Sequence, residues 1–119
     1  MDGVLFNGLE DVSNEEVISR MKEYADEAKR LMKLFEEDKR KTVALARELR
    51  NNLKAEYKNN DLLRIQKIYK NHELFLGYYK PAVTEAYVKT TGQLTHKNVY
   101  SFLYDVVDYM KYYIPKKYK

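Results

Sequence analysis

The chain has no cysteine, which excludes disulfide staples and thiolate chemistry. It has only 4 glycines and 2 prolines in 119 residues, and none of either between Leu9 and Leu76. Those are the strongest helix disruptors, so that stretch reads as helix with brief interruptions at most. The glycines stand apart, at 3, 8, 77 and 92, so no glycine-rich loop is present to cradle a phosphate. No apolar run approaches the ~20 residues needed to cross a bilayer. The opening Met1-Asp2-Gly3-Val4 lacks the basic region and apolar stretch of a secretory signal. The expected location is therefore the cytoplasm, or the host cytoplasm if the protein is viral.

What is present is charge and tyrosine. Asp, Glu, Lys and Arg make up 34% of the chain, and the net charge is +4. The excess is uneven: residues 1–50 hold 10 Lys/Arg against 12 Asp/Glu, and residues 51–119 hold 12 against 6. A basic half attracts nucleic acid, an acidic protein or an anionic membrane, although a plain solubility role explains the same charge.

Hydrophobic spacing defines the elements. Ser13-Asn14-Glu15-Glu16 matches a capping box, with Val12 and Val17 as the staple. Ahead of it, residues 1–12 form an apolar arm built on Val4, Leu5, Phe6 and Leu9. Ile18, Met21, Ala25, Ala28, Met32 and Phe35 then step by three and four, as do Ala46, Leu49 and Leu53. Lys39 and Thr42 interrupt the register. Either one helix spans 14–58 or two helices join near 37–42. Acid-before-base pairs such as Glu36/Arg40 and Glu37/Lys41 favour a continuous or kinked long helix.

Asn59-Asn60-Asp61 punctuates the chain, and Leu62, Ile65, Ile68, Tyr69, His72 and Leu76 form the next stripe. Pro81 clashes with the carbonyl of Gly77 in a regular helix, so an end or kink is expected there, followed by a short helix to about Thr90. A Thr95 cap with Leu94 and Val99 as its staple opens the last helix. Val99, Leu103, Val106, Val107, Met110 and Ile114 form its inner face, and residues 115–119 make a basic tail. The expected fold is all-α: one domain over 1–119, an antiparallel bundle of four to five helices, with a long N-terminal helix as the open variant.

Chemistry is sparse. The 2 histidines, His72 and His96, form no metal-binding pattern, so no metal and no cofactor are expected. Arg64 stands upstream of His72, but their separation is wider than in helical nucleases of the HEPN type, and no activity carries over. No nucleophile or paired-carboxylate site emerges, no small-molecule substrate is evident, and the protein is expected not to be an enzyme.

The 12 tyrosines concentrate late in the chain. On the last helix, Lys97, Tyr100, Tyr104 and Lys111 share one side, and Lys116 and Lys117 follow. Tyrosines beside cations anchor protein interfaces, stack nucleobases or simply line the wet margin of a core. The function expected is a non-catalytic interaction protein: an adaptor, assembly factor or inhibitor that binds another protein or itself through helix faces. The alternative is a nucleic-acid-associated protein using those six residues, such as a small ribonucleoprotein subunit or a mobile-element accessory protein from a phage or similar source. No membrane role is expected, because Asp105 and Asp108 interrupt the last helix.

Overall fold

The structure, a computed structural model, describes residues 14–61, 74–89 and 92–119. The apolar arm, the Ser13 cap, Arg64, His72 and most of the 62–76 stripe lie outside the described residues. Four α-helices are described: α1 (Asn14–Glu37), α2 (Lys39–Asp61), α3 (Lys80–Val88) and α4 (Val99–Tyr113). A π-helical turn, Phe75–Tyr79, leads into α3, and a 3₁₀ turn, Lys116–Tyr118, follows α4. No strand occurs among the described residues. The protein is an all-α bundle.

The N-terminal region is a hairpin and not one long helix. Tyr24 on α1 meets Glu56 on α2 at 3.2 Å. In a continuous helix rising 1.5 Å per residue, those positions would be about 48 Å apart. A single residue makes the reversal. Asp38 N–H closes α1 on the carbonyl of Leu34 at 2.8 Å, and Asp38 C=O accepts from Thr42 N–H at 3.1 Å. Its Oδ1 accepts from Lys41 N–H at 3.0 Å, which caps α2.

Local electrostatics opposes this break. Glu36 and Glu37 lie at the negative end of α1, and Lys39, Arg40 and Lys41 lie at the positive end of α2. Pairs across 36–41 are worth only a few tenths of a kcal/mol each. Folding back instead buries Val17, Ile18, Met21, Leu31, Leu49 and Leu53 together with their neighbours. Each large apolar side chain buried contributes roughly 1.5–3 kcal/mol, so burial decides.

The register differs from the sequence pattern in particular places. Leu31 is fully buried, while Met32 and Phe35 are only partly covered. Thr42 is fully buried rather than an interruption. Its hydroxyl donates to the Asp38 carbonyl at 2.8 Å, so its polar atom is satisfied and its methyl group is left for the core. Arg30 pairs with Glu27 at 2.8 Å.

Between Leu74 and α3 the helix widens without stopping. Pro81 has no N–H for the Gly77 carbonyl, and the π turn relieves the clash by adding a residue to the coil. Tyr79 keeps helical angles of φ −65 and ψ −51, so the axis continues into α3. The added residue also shifts the stripe: Leu74 is buried and Leu76 is 37% exposed. The turn places Tyr79 among the largest fully buried side chains.

Downstream of α3, Gly92 has φ +116 and redirects the chain. Thr95 then opens the turn ahead of α4 by a reciprocal cap, and Asn98 stands at the N-cap of α4 itself without a side-chain capping bond. Thr95 Oγ1 accepts from Lys97 N–H at 3.2 Å, and Asn98 Oδ1 accepts from Thr95 N–H at 2.8 Å. Asn98 here does the work of the usual Glu or Gln. Leu94 and Val99 are both buried beside this cap. α4 packs chiefly against α1, running antiparallel: Phe35 near the end of α1 meets Tyr100 near the start of α4. The last five residues do not extend away. The 3₁₀ turn packs Tyr118 against the core, and Lys116 and Lys117 remain exposed.

Candidate functional site

The six residues singled out by the sequence lie along the outer side of α4 and its flanks. Lys97 sits in the capping turn, Tyr100, Tyr104 and Lys111 on the helix, and Lys116 and Lys117 on the 3₁₀ turn. All six are exposed. Tyr100 and Lys111 are about 17 Å apart along the helix axis, so the set forms an extended face rather than a pocket.

The face has internal structure. The Tyr100 ring rests on Phe35, with centroids 5.6 Å apart, and Lys39 Nζ lies 5.4 Å from the same Phe35 ring. Tyr104 is 57% exposed and Tyr112, which sequence reasoning did not select for this surface, is 74% exposed. Lys111 faces Lys29 of α1, and the neighbouring ammonium holds Lys111 below the ordinary lysine range. Asp108 follows Tyr104 by one turn on the same side. Asp105 beside it is pushed up, first by partial burial and then by the charge of Asp108. Lys117 Nζ covers the ring of Tyr118 at 5.3 Å. Cations, carboxylates and phenols are thus interleaved.

A second polar grouping lies inside the hairpin, and the sequence did not reveal it. Tyr24 Oη donates to Glu56 Oε2 at 3.2 Å, and Arg20 Nη1 stands 3.8 Å from Glu56 Oε1. These residues line a groove of about 560 Å³ between α1 and α2. Burial first, and then the Glu56 charge, push the Tyr24 and Tyr79 hydroxyls well above the ordinary tyrosine range. Both phenols therefore stay protonated and suit hydrogen bonding better than proton exchange. Tyr24, Glu56 and Tyr79 come from three separate elements, so no local spacing signalled them.

No family model, curated protein or solved structure matches this chain.

The third feature joins α2 to the loop before α4. Arg47 Nη2 donates to the Leu94 carbonyl at 2.9 Å, and Arg50 Nη1 donates to the Gly92 carbonyl. The Arg50 guanidinium also lies 5.9 Å from the Tyr87 ring and 6.0 Å from the Phe102 ring. Backbone oxygens hold both arginines and two aromatic faces flank Arg50, and neither kind of partner neutralises their charge. Among the described residues, no group of three or more His, Cys, Asp or Glu side chains is placed to hold a metal, and no helix is long and apolar enough to cross a membrane.

Proposed function

We propose that the protein is a non-catalytic binding protein that engages another protein through the outer face of α4. The observation carrying this reading is the exposure of Tyr100, Tyr104 and Tyr112, at 44%, 57% and 74%, on a helix whose opposite side is fully packed. Tyrosine buries a large area on binding at small entropic cost, which makes it a recurrent interface anchor.

The charges around the tyrosines favour a protein partner over a nucleic acid. Asp105 and Asp108 sit among the cations of α4 and would repel a phosphate backbone. A protein surface of mixed charge offers basic side chains to those carboxylates and acidic ones to Lys97 and Lys111. The hairpin cluster of Arg20, Tyr24 and Glu56 is read as structural, because it ties α1 to α2.

The test is photocrosslinking in cells that make the protein, with a benzophenone amino acid replacing Tyr104 or Tyr112, and exposed Glu48 on α2 as the control position. A discrete protein adduct from both α4 positions and none from position 48, lost on Tyr100→Ser, supports the reading. Adducts to nucleic acid alone, or identical patterns from all three positions, would refute it.

A further inference from the structure

The α2 helix is predominantly basic. It holds seven Lys/Arg against three Asp/Glu; Glu48 and Glu56 lie off the basic side, and Asp61 falls on it at the C-terminal end, seven residues after Lys54. Arg40, Arg47 and Lys54 recur every seven residues, which returns each nearly to the same side of a helix. Lys58 falls one turn beyond Lys54 on that side, and Arg50 sits on the flank of the stripe. Glu48 lies about a quarter-turn or more round the helix, and Glu56 faces α1, where it meets Tyr24 and Arg20. Arg40, Arg47, Lys54 and Lys58 are all exposed.

Two grooves run beside this stripe and meet at Arg47. One, of about 620 Å³, is bounded by Lys39, Arg40, Arg47 and His96 above a floor of Val43 and Ala44. The other, of about 410 Å³, is bounded by Arg47, Arg50, Asn51, Lys54, Tyr87 and Gln93. No acidic side chain lines either groove among the described residues. The contrast with α4, where carboxylates sit between the lysines, is direct.

We infer that this face of α2 binds the phosphate backbone of nucleic acid without reading base sequence. The stripe from Arg40 to Lys58 is about 27 Å long at 1.5 Å per residue, enough to track several consecutive phosphates. Two of its cations, Arg40 and Arg47, and Arg50 on its flank are arginines, whose planar forks match phosphate oxygens in pairs. Arg47 and Arg50 are held by the Leu94 and Gly92 carbonyls. Each uses only some of its five donors there, which leaves others for a ligand and limits the freedom lost on binding. Asn51 and Gln93 add neutral donors suited to phosphate and sugar oxygens. An acidic protein would engage the charge but has no need of this run of amide and guanidinium donors. The surface is separate from the α4 face, so a protein partner and a nucleic acid can be bound together.

The test is fluorescence anisotropy of the full chain with labelled mixed-sequence single-stranded RNA and DNA, titrated at several salt concentrations. Binding should weaken with salt, with a logarithmic slope of about −2 to −3 for three to four phosphates neutralised on a single strand. Arg40→Glu with Lys54→Glu should weaken binding at least about tenfold and flatten the slope by about one to two. Arg40→Gln with Lys54→Gln should do the same more weakly, and a helical circular-dichroism spectrum confirms that each variant is folded. Lys111→Glu with Lys117→Glu should leave binding within about twofold. No binding of either probe at low salt overturns the inference. So does equal loss from the α4 pair, or displacement by polyglutamate as effective as by unlabelled RNA at equal charge. The α4 crosslinking experiment is unaffected by any of these results.

Discussion

The Tyr24 hydroxyl donates to Glu56 Oε2 at 3.2 Å across 32 residues of sequence, and this bond records the folding back of α2 onto α1. Arg20 approaches the other carboxylate oxygen at 3.8 Å. Glu56 thus gathers a phenol and a guanidinium from successive turns of α1.

The high folded-state pKa values of Tyr24 and Tyr79 fix the sign of an alkaline transition. Both lie above the ordinary tyrosine value of 10.0, so the unfolded chain gives up these protons more readily than the folded one. Their stabilising contribution is complete below pH 10.0 and is lost as pH rises above it. Replacing both by phenylalanine should therefore flatten the fall in stability above that pH. Circular dichroism at increasing pH, compared with denaturant midpoints at neutral pH, measures this. An unchanged alkaline slope in the double variant would contradict the burial of these hydroxyls.

Asp38 is the only residue between α1 and α2, and its carboxylate caps Lys41 N–H. Asp38→Ala removes the cap and should cost about 1 kcal/mol. Asp38→Asn keeps an acceptor and should cost less. Urea denaturation of the three proteins checks the order, and equal midpoints would show that the cap contributes nothing.

Gly92 adopts φ +116 with open space where a Cβ would project. Gly92→Ala therefore meets no clash, and its cost is conformational, about 1–3 kcal/mol. The substitution also strains the loop whose carbonyl holds Arg50, so the thermal midpoint should fall, and, if α2 binds phosphate as proposed, affinity for labelled RNA should fall with it. A thermal midpoint equal to the native one would show that the loop accepts another geometry.

Much of the bundle was legible in the residue pattern because helix faces are written at short range. Ile18, Met21, Ala25 and Ala28 on α1, and Val99, Leu103, Val106, Met110 and Ile114 at the other end, are buried as their spacing of three and four implies. Thr95 makes a capping bond as its neighbours suggest, but to the turn before α4, whose own N-cap is Asn98. The departures share a cause. Whether residues 14–58 turn back at Asp38 depends on what each apolar face meets, and local charges point the other way. Leu76 moves out of its stripe because the π turn adds a residue, an adjustment made for Pro81 and the burial of Tyr79.

The candidate surfaces divide in the same way. The tyrosines of α4 could be chosen from their helical side alone, but their company with Asp108 made the face mixed rather than basic. The heptad of Arg40, Arg47 and Lys54 was present in the sequence. Its basic character is masked in the net charge of the N-terminal half, since residues 1–50 sum to an acidic balance.

Composition and periodicity alone determined that this chain is helical and which side of most helices turns inward, because those properties are set by backbone propensity and by neighbours three and four residues away. Tertiary structure decided the hairpin at Asp38, the meeting of Tyr24 with Glu56 and the grooves on either side of Arg47. Each of these joins residues from separate elements, and the free energy that selects them comes from burying whole faces against one another, which no local window of sequence contains.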